Sequence, residues 1–363
     1  MRVFVLDVNK RALDPCHSAR ARQLLRSGRA AVFRRYPFTI ILKDRTAEES
    51  VMHSHRIKID PGSRVTGLAL VQEETGCVVW AAELQHRGEQ IKRQLLKRRA
   101  LRRARRNYKT RYRKPRFDNR CRSDEWLPPS LESRVRNIMT WVERLRRYAP
   151  VSAISVELAH FDTQRLQNSE ISGVKYQQGE LFGYEMREYL LEKWGRCCAY
   201  CEVENVPLEV EVGTSGRTKY NRTRLGLSKV HWTDAACVGK STPDRLHIET
   251  GPVSVIRATG HGKRQRCGTN RYGFPIRHAP RAKRFMGFQT GDVVRAIVPR
   301  GKHAGVHEGR IAIRFRPSFR LNGFDVHPKY LQLLQRADGY AYALETESLG
   351  TRERECDASS LRL

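Results

Sequence analysis

Residues 87–122 hold 17 Lys and Arg against Glu89 and Asp118, a local excess of +15. No fold can bury such a stretch, because each unpaired charge taken out of water costs more than the sparse apolar residues between them return. The segment must therefore lie on a surface, and it divides the chain into an N-terminal and a longer C-terminal part. Ile91, Leu95, Ala100, Ala104 and Tyr108 recur at about four-residue spacing, so residues 87–108 are expected to form one helix, a basic rod with a narrow apolar stripe. A solvated helix or a localisation signal needs no such density. Guanidinium groups on several faces of one rod suit the phosphates of more than one strand.

The chain has 363 residues and a formal net charge of +31. Residues 251–336 hold 18 Lys and Arg against Asp292, Glu308 and Asp325, again +15, and the remaining 241 residues sum to +1. A near-neutral body with two concentrated basic regions points to nucleic-acid surfaces. An apolar fraction of 39%, with 13 Tyr, 12 Phe and 5 Trp, excludes a wholly disordered chain. The length suits two or three domains. No apolar run approaches the roughly eighteen residues of a membrane span. The start, MRVFVLDVNKRALDP, lacks the features of a signal peptide, and nine irregularly spaced cysteines do not make a secreted disulfide framework. The expectation is a cytoplasmic, nucleoid-associated protein without a membrane partner.

The order of elements is equally readable. Val3, Val5 and Leu6 suggest a strand, HSARARQLLRSGRA a helix ended by Gly28, and AAVFRRYPFTIILKD a pair of strands around Pro37. RIKIDPGSRVTGLALV and CVVWAAEL supply three more strands. LESRVRNIMTWVERLRRYAP reads as a helix with Val135, Ile138, Met139, Val142 and Leu145 on one face, stopped by Pro150; VSAISVEL comes next as a buried strand, and LFGYEMREYLLEKWG as a further helix. HWTDAACVG opens another helix, and from about residue 250 short strands alternate with Gly/Pro turns.

Three carboxylates fall on separate core elements. Asp60 closes an alternating strand before Pro61 and Gly62, Glu157 lies in the apolar run ISVEL, and Asp234 comes three residues after His231, on the same helical face. Each has an ordinary reading: Asp60 as a turn former, Glu157 as an Arg partner, Asp234 as a helix cap, His231 as a partly buried imidazole. Taken in order (strand carboxylate, basic helix, strand carboxylate, HxxD) they could hold two divalent cations against a scissile phosphate.

IDPGSRVTGLALV, the arginine-rich helix, ISVELAHFDTQ and HWTDAACVG resemble, in that order, the split RuvC-like nuclease of the transposon-encoded IscB/IsrB family of RNA-guided (OMEGA) proteins. YQQGELFGYEMREYLLEKWG, GRTKYNRTRLGL and FMGFQTGDVVRAIVPRGKHAG extend the resemblance over nearly the whole chain. It implies an α/β fold with a split RNase H-like core. Asp60, Glu157 and Asp234 would ligate two Mg²⁺ ions, with Mn²⁺ as a substitute, and His231 would position the attacking water. The basic helix would be the bridge helix that contacts guide RNA, through Lys97, Arg98, Arg99, Arg102, Arg103, Arg105 and Arg106.

Cys198 and Cys201 resemble half of a zinc knuckle beside Cys197, but Cys237 and Cys267 are isolated, so zinc is not expected. In IscB proteins a segment like CAYCEVENVPLE opens an HNH nuclease domain. Here PLEVE runs directly into VGTSGRTKYNR, so the chain resembles the HNH-lacking IsrB branch, as an engineered HNH deletion also would. Either way the RuvC-like site would be the sole nuclease. Arg217, Lys219, Arg222 and Arg224 in GRTKYNRTR read as phosphate contacts or as a mobile basic linker. GDVVRAIVPRGKHAGVHEGRIAIRF patterns like an SH3- or KOW-like barrel, with Lys263, Arg264, Arg266, Arg281, Lys283 and Arg284 as nearby phosphate contacts. By resemblance this module would read a motif flanking the target, and the N-terminal segment would be a PLMP-like domain carrying Ala12-Leu13-Asp14-Pro15 in place of the motif.

The expected organisation is an N-terminal domain at 1–52, RuvC-like segments at 53–86, 123–212 and 213–250, the basic helix at 87–122, a C-terminal module at 251–345 and a tail at 346–363. The expected function is an RNA-guided DNA nickase, a monomer bound to a structured guide RNA (omega RNA) and acting on double-stranded target DNA. The alternatives are a catalytically silent RNA-binding protein of a transposon and an unguided RuvC-like junction nuclease.

Overall fold

Alternating apolar residues at both ends of the first 42 residues build a small sheet around one helix. The computed structural model of the protein describes residues 2–107, 126–158, 209–249, 251–260, 267–272, 274–278, 282–314 and 318–345. Strands β1 (Val3–Leu6), β2 (Ala12–Cys16), β3 (Ala30–Arg34) and β4 (Thr39–Leu42) form a sheet in the order β2-β1-β4-β3. Helix α1 (Ser18–Arg26) buries Ala21 and Leu24 against Val3, Val5, Leu13 and Ile40. It ends where Gly28 takes a left-handed φ of +73°. Asp14, within the Ala-Leu-Asp-Pro motif, accepts the His53 N–H at 3.1 Å and pairs with its ring, which fastens this sheet to the next strand.

The central sheet begins as a meander of β5 (His55–Asp60), β6 (Val65–Gln72) and β7 (Cys77–Gln85). After α2 (Gly88–Asn107) and α3 (Pro129–Tyr148), β8 (Val151–Leu158) adds parallel to β5, and β9 (Glu209–Thr214) adds parallel to β8. Period-2 alternation gives the sheet two apolar faces. Ile57, Ile59, Leu68, Leu70 and Leu84 point to α3, whose Trp141 is fully buried and stacks on Trp80 at 5.8 Å. Ala69, Val71 and Ala81 point the other way and receive Trp232, Ala235 and Ala236 of the short helix α5 (His231–Ala236), which comes after α4 (Ser215–Arg224).

The remaining chain is β-rich. Strands β10 (His247–Ile248) and β11 (Val253–Ala258) precede two hairpins, β12 (Cys267–Thr269) with β13 (Pro275–His278) and β14 (Arg284–Phe285) with β15 (Phe288–Gln289). Next is a five-stranded antiparallel sheet in the order β19-β18-β17-β16-β20, from β16 (Val293–Val298), β17 (Gly305–Ala312), β18 (Phe319–Leu321), β19 (Phe324–Val326) and β20 (Leu331–Gln335). Its core is Val294, Ala296, Ile311, Phe319, Leu321 and Val326. The final described strand, β21 (Tyr340–Glu345), returns to the central sheet, which thereby reads β21-β11-β7-β6-β5-β8-β9 with β10 beside β7. The whole is a mixed α/β fold with several sheets and few helices. None of the described helices is long and apolar enough to cross a membrane.

Three sequence expectations change here. The boundary at residue 250 moves, because β11 and β21 belong to the central sheet: β11 lies parallel to β7 and β21 closes on β11 over six residue pairs. The body formed at the C-terminal end is the run from β14 to β20, and the 212/213 boundary falls inside β9. The segment Gly216–Arg224 is no linker, since it lies in α4, whose Thr218 and Asn221 are buried. Helix α2 does form, and among the described residues of its apolar stripe only Ile91 is buried; Leu95 and Ala100 are exposed. Its first turns rest near α3, and beyond them the cations keep the rod in solvent. Tyr108 and residues 109–122, the helix expected in LFGYEMREYLLEKWG, the cysteines at 197, 198 and 201, and the tail at 346–363 lie outside the described residues.

Candidate functional site

The β5 sequence HRIKID sends Ile57 and Ile59 to the α3 face, so Arg56, Lys58 and Asp60 share the face that carries α5. Ile59 pairs with Val156 on β8, and one position further along both strands Asp60 and Glu157 stand side by side on the α5 face. Glu157 in turn pairs with Gly213 on β9, while Asp60 pairs with Gly67 on β6, and Gly67 with Glu83 on β7. The sheet therefore presents a row Gly213, Glu157, Asp60, Gly67, Glu83. The two glycines admit the third segment: a Cβ on Gly67 would strike the His231 carbonyl oxygen, and one on Gly213 would lie 2.9 Å from Val238 Cγ1. Helix α5 can thus rest against the sheet beside the two carboxylates.

Helix α5 is pinned at its start by Thr233, whose Oγ1 donates to the Ser228 and Val230 carbonyls at 2.7 Å. Trp232, Ala235 and Ala236 go into the core, which leaves His231 exposed and Asp234 half-buried. Asp60, Glu157, His231 and Asp234 consequently meet at one end of the sheet. The Asp60 carboxyl is pushed up to about 6, first by burial and then by repulsion from Glu157 and Asp234, with His231 and Arg222 pulling the other way. Among the described residues, no hydrogen bond or ion pair engages Asp60 or Glu157. Asp234, by contrast, is paired with Arg222 of α4. Unpartnered carboxylates that repel one another are the donors that hard divalent cations such as Mg²⁺ or Mn²⁺ take, so the chemistry of the set fits such an ion. As arranged, no three His, Cys, Asp or Glu side chains among the described residues are gathered into a ligand group.

Several supporting residues carried no obvious sequence signal. Lys58, two positions before Asp60, is buried, and its Nζ donates to the Val238 carbonyl (2.8 Å) and to Thr242 Oγ1 (2.9 Å). It ties the strand of Asp60 to the loop after α5; burial brings its pKa down to about 8. Asn221 donates from Nδ2 to the Cys237 and Gly239 carbonyls, both at 2.9 Å, locking α4 against that loop. Glu211 accepts from Ser155 Oγ at 2.6 Å and from the Ser241 N–H at 3.0 Å. Burial would raise its pKa, but these donors bring it down to about 2. The alternation of HRIKID already put Lys58 on the face of Asp60, whereas the other contacts join residues far apart in the chain.

Of the expected nucleic-acid contacts, Lys97, Arg98, Arg99, Arg102, Arg103 and Arg106 lie exposed along α2. Arg105 is on the same helix, its side chain outside the described residues. At the root of α2 a cleft of about 590 Å³ is lined by Arg64, Arg87, Glu89, Arg93, Lys97 and Arg257. It opens at the end of the sheet where Asp60 lies, because the turn from β5 to β6 forms one wall. His86, also in that wall, contacts Thr66 Oγ1 through Nε2 at 2.7 Å; burial, then Arg134, pushes its pKa down to about 4, so it stays neutral. Arg217 and Lys219 are exposed on α4, and Lys283 and Arg284 near β14. Arg222 departs from expectation: it faces Asp234 rather than solvent, and Arg224 pairs with Asp244. Lys263, Arg264, Arg266 and Arg281 lie outside the described residues.

No curated protein matches the chain. The model of a family described as RRXRR protein matches residues 3–179, just under half of the chain, which takes in β1 to β8, α2 and α3. The pattern in that description occurs here as Arg102-Arg103-Ala104-Arg105-Arg106 on α2. This domain is found in transposon-associated nucleases of the IscB/IsrB type.

Proposed function

We propose that the protein is an RNA-guided DNA endonuclease that acts as a nickase. A structured guide RNA pairs with one strand of a double-stranded target, and the displaced strand is hydrolysed at the site of Asp60, Glu157, His231 and Asp234. The observation that carries this reading is the neighbouring register of Asp60 and Glu157 beneath the HxxD helix, at the end of the sheet from which the arginine-rich helix departs. The RRXRR match over residues 3–179 supports it from a separate direction.

Each residue has a defined task. Asp60, Glu157 and Asp234 would hold Mg²⁺, which when bound supplies charge compensation for the attacking and leaving oxygens of an in-line displacement. His231, exposed at the start of α5, accepts a hydrogen bond from the attacking water and orients it. Lys58 and Asn221 hold the strand and the helices in register. The exposed cations of α2 track the phosphates of the guide, while base pairing supplies the sequence readout. A single constellation of acids cuts one strand, hence a nick.

The test uses the full chain with its co-purifying RNA and a supercoiled plasmid carrying a matched target. Wild type converts the plasmid to the open circle. Asp60→Ala abolishes that conversion and retains RNA and target binding. Nicking by Asp60→Ala would overturn the site assignment. Sequencing of the bound RNA should return one abundant structured species with a variable segment; heterogeneous cellular RNA would overturn the guided reading.

A further inference from the structure

Among the described residues, the cation paired inside the acidic constellation comes from α4. That helix is rigidly held: Thr214 caps its start, Thr218 and Asn221 are buried, and Asn221 bonds two carbonyls of the loop after α5. Arg222 comes directly after Asn221, so its stem leaves a fixed backbone and its guanidinium reaches Asp234. Both side chains of the pair are only 14% exposed. Arg224, two residues further on, goes instead to Asp244, which is almost fully exposed. The first pair is thus shielded from solvent and the second is not, although both come from the same ten-residue helix.

A carboxylate oxygen that accepts a guanidinium hydrogen bond has that lone pair engaged, and a charge fixed beside it repels a second cation. Arg222 therefore competes with a metal ion for Asp234. Were an ion to take Asp234, the guanidinium would be left without its partner in a largely buried place, a costly outcome unless another anion arrives. In a site that acts on nucleic acid, that anion is a phosphate of the bound strand.

Resting on the nuclease reading above, we infer that Arg222 is a positioning residue that exchanges partners: it holds Asp234 in the free protein and passes to a substrate phosphate when nucleic acid and metal enter together. Metal and DNA then bind cooperatively, each vacating for the other one half of the Arg222–Asp234 pair. The site stays poorly receptive to divalent cations until a strand is present.

The test is a Mn²⁺ titration, read by the electron paramagnetic resonance of free Mn²⁺, on the full chain with its RNA, without and with matched DNA. Arg222→Gln is expected to bind Mn²⁺ about tenfold more tightly than wild type without DNA, the size of an ordinary coupling between neighbouring sites. Arg222→Met, which keeps the packing of the stem, should do the same. Arg224→Gln removes an equal charge from the same helix and should leave the affinity within about twofold, as surface charges are screened. Matched DNA should tighten Mn²⁺ binding to wild type and have little effect on Arg222→Gln. Unchanged or weaker binding by both Arg222 variants would overturn the exchange, and weaker binding is what a purely structural role would give. Should Asp60→Asn and Asp234→Asn both leave Mn²⁺ binding untouched, the metal site itself falls, which is a separate failure.

Discussion

At the scale of single residues, the site is held in a state that costs stability. Asp60 has its pKa raised to about 6 by burial and by two neighbouring carboxylates. An acid whose folded pKa lies above its unfolded value, near 3.9, stabilises the fold below the lower pKa and loses that contribution as pH rises through the upper one. Asp60→Asn should therefore melt a few degrees higher than wild type at pH 7 without metal, and at about the same temperature near pH 4. Differential scanning calorimetry at the two pH values checks this. Glu211 has the opposite sign: its folded pKa is about 2, so its contribution is present above the unfolded pKa near 4.3 and fades as pH falls towards 2. Glu211→Gln should lower the melting temperature at pH 6 and flatten its decline on the acid side. Asp60 could be picked out from sequence because strand alternation and Pro61-Gly62 put it at a strand end. From sequence, Arg222 reads as a phosphate contact or part of a basic linker, because its partner Asp234 lies across a turn that sequence pattern does not reveal. Position along a strand or helix makes an acid legible in sequence, whereas a contact across a turn, such as that of Asp234 with Arg222, is not.

At the scale of elements, α3 and α2 show two ways in which a helix can be specified. Helix α3 is specified by its apolar face: Trp141 is fully buried among Trp80, Tyr340 and Tyr342. Trp141→Ala should cost about 3–5 kcal/mol, enough to read as a large drop in the chemical-denaturation midpoint. Helix α2 buries Ile91 and leaves Arg99, Arg102 and Arg103 in solvent. Replacing those three by Gln should leave the melting temperature unchanged within a degree or so. The same triple change should lower the slope of log affinity against log salt for RNA by about 2, at roughly 0.7 per phosphate contact on single strands. Nitrocellulose retention across a salt series measures it. The period of α2 was visible in the sequence, but the burial of its stripe was not, because a period states which residues share a face and not whether anything covers it.

At the scale of the whole molecule, the last described strand, β21, returns to one edge of the central sheet and closes it there. Tyr340 and Tyr342 of β21 pack on Trp141, and Arg144 of α3 bonds both Asp338 (3.1 Å) and Tyr342 Oη (3.0 Å). Tyr36 of the N-terminal sheet stacks on Tyr342 at 5.0 Å. A chain ended after Gln335 should therefore lose cooperative melting by circular dichroism, and with it the slow hydrogen exchange of β7 and β11, instead of behaving as an intact body with a shortened appendage. The change in composition near residue 250 suggested a clean boundary there. What it missed is that Val253–Ala258 and Tyr340–Glu345 are apolar enough to join a core whose β7 strand lies some 170 residues before β11. Parallel pairing at such separation leaves no local trace in sequence.

That closure also sets a schedule. Ribosomes deliver about 5–20 residues each second, and segments fold as they emerge. The strands bearing Asp60 and Glu157 emerge well before Tyr340–Glu345, which completes their sheet. For many seconds the nascent chain already exposes its arginine-rich helix to nucleic acid while the sheet beneath the acids lacks its closing strand. Under the function proposed above, capture of RNA would precede completion of the sheet, and a prematurely terminated product would bind without the means to cut.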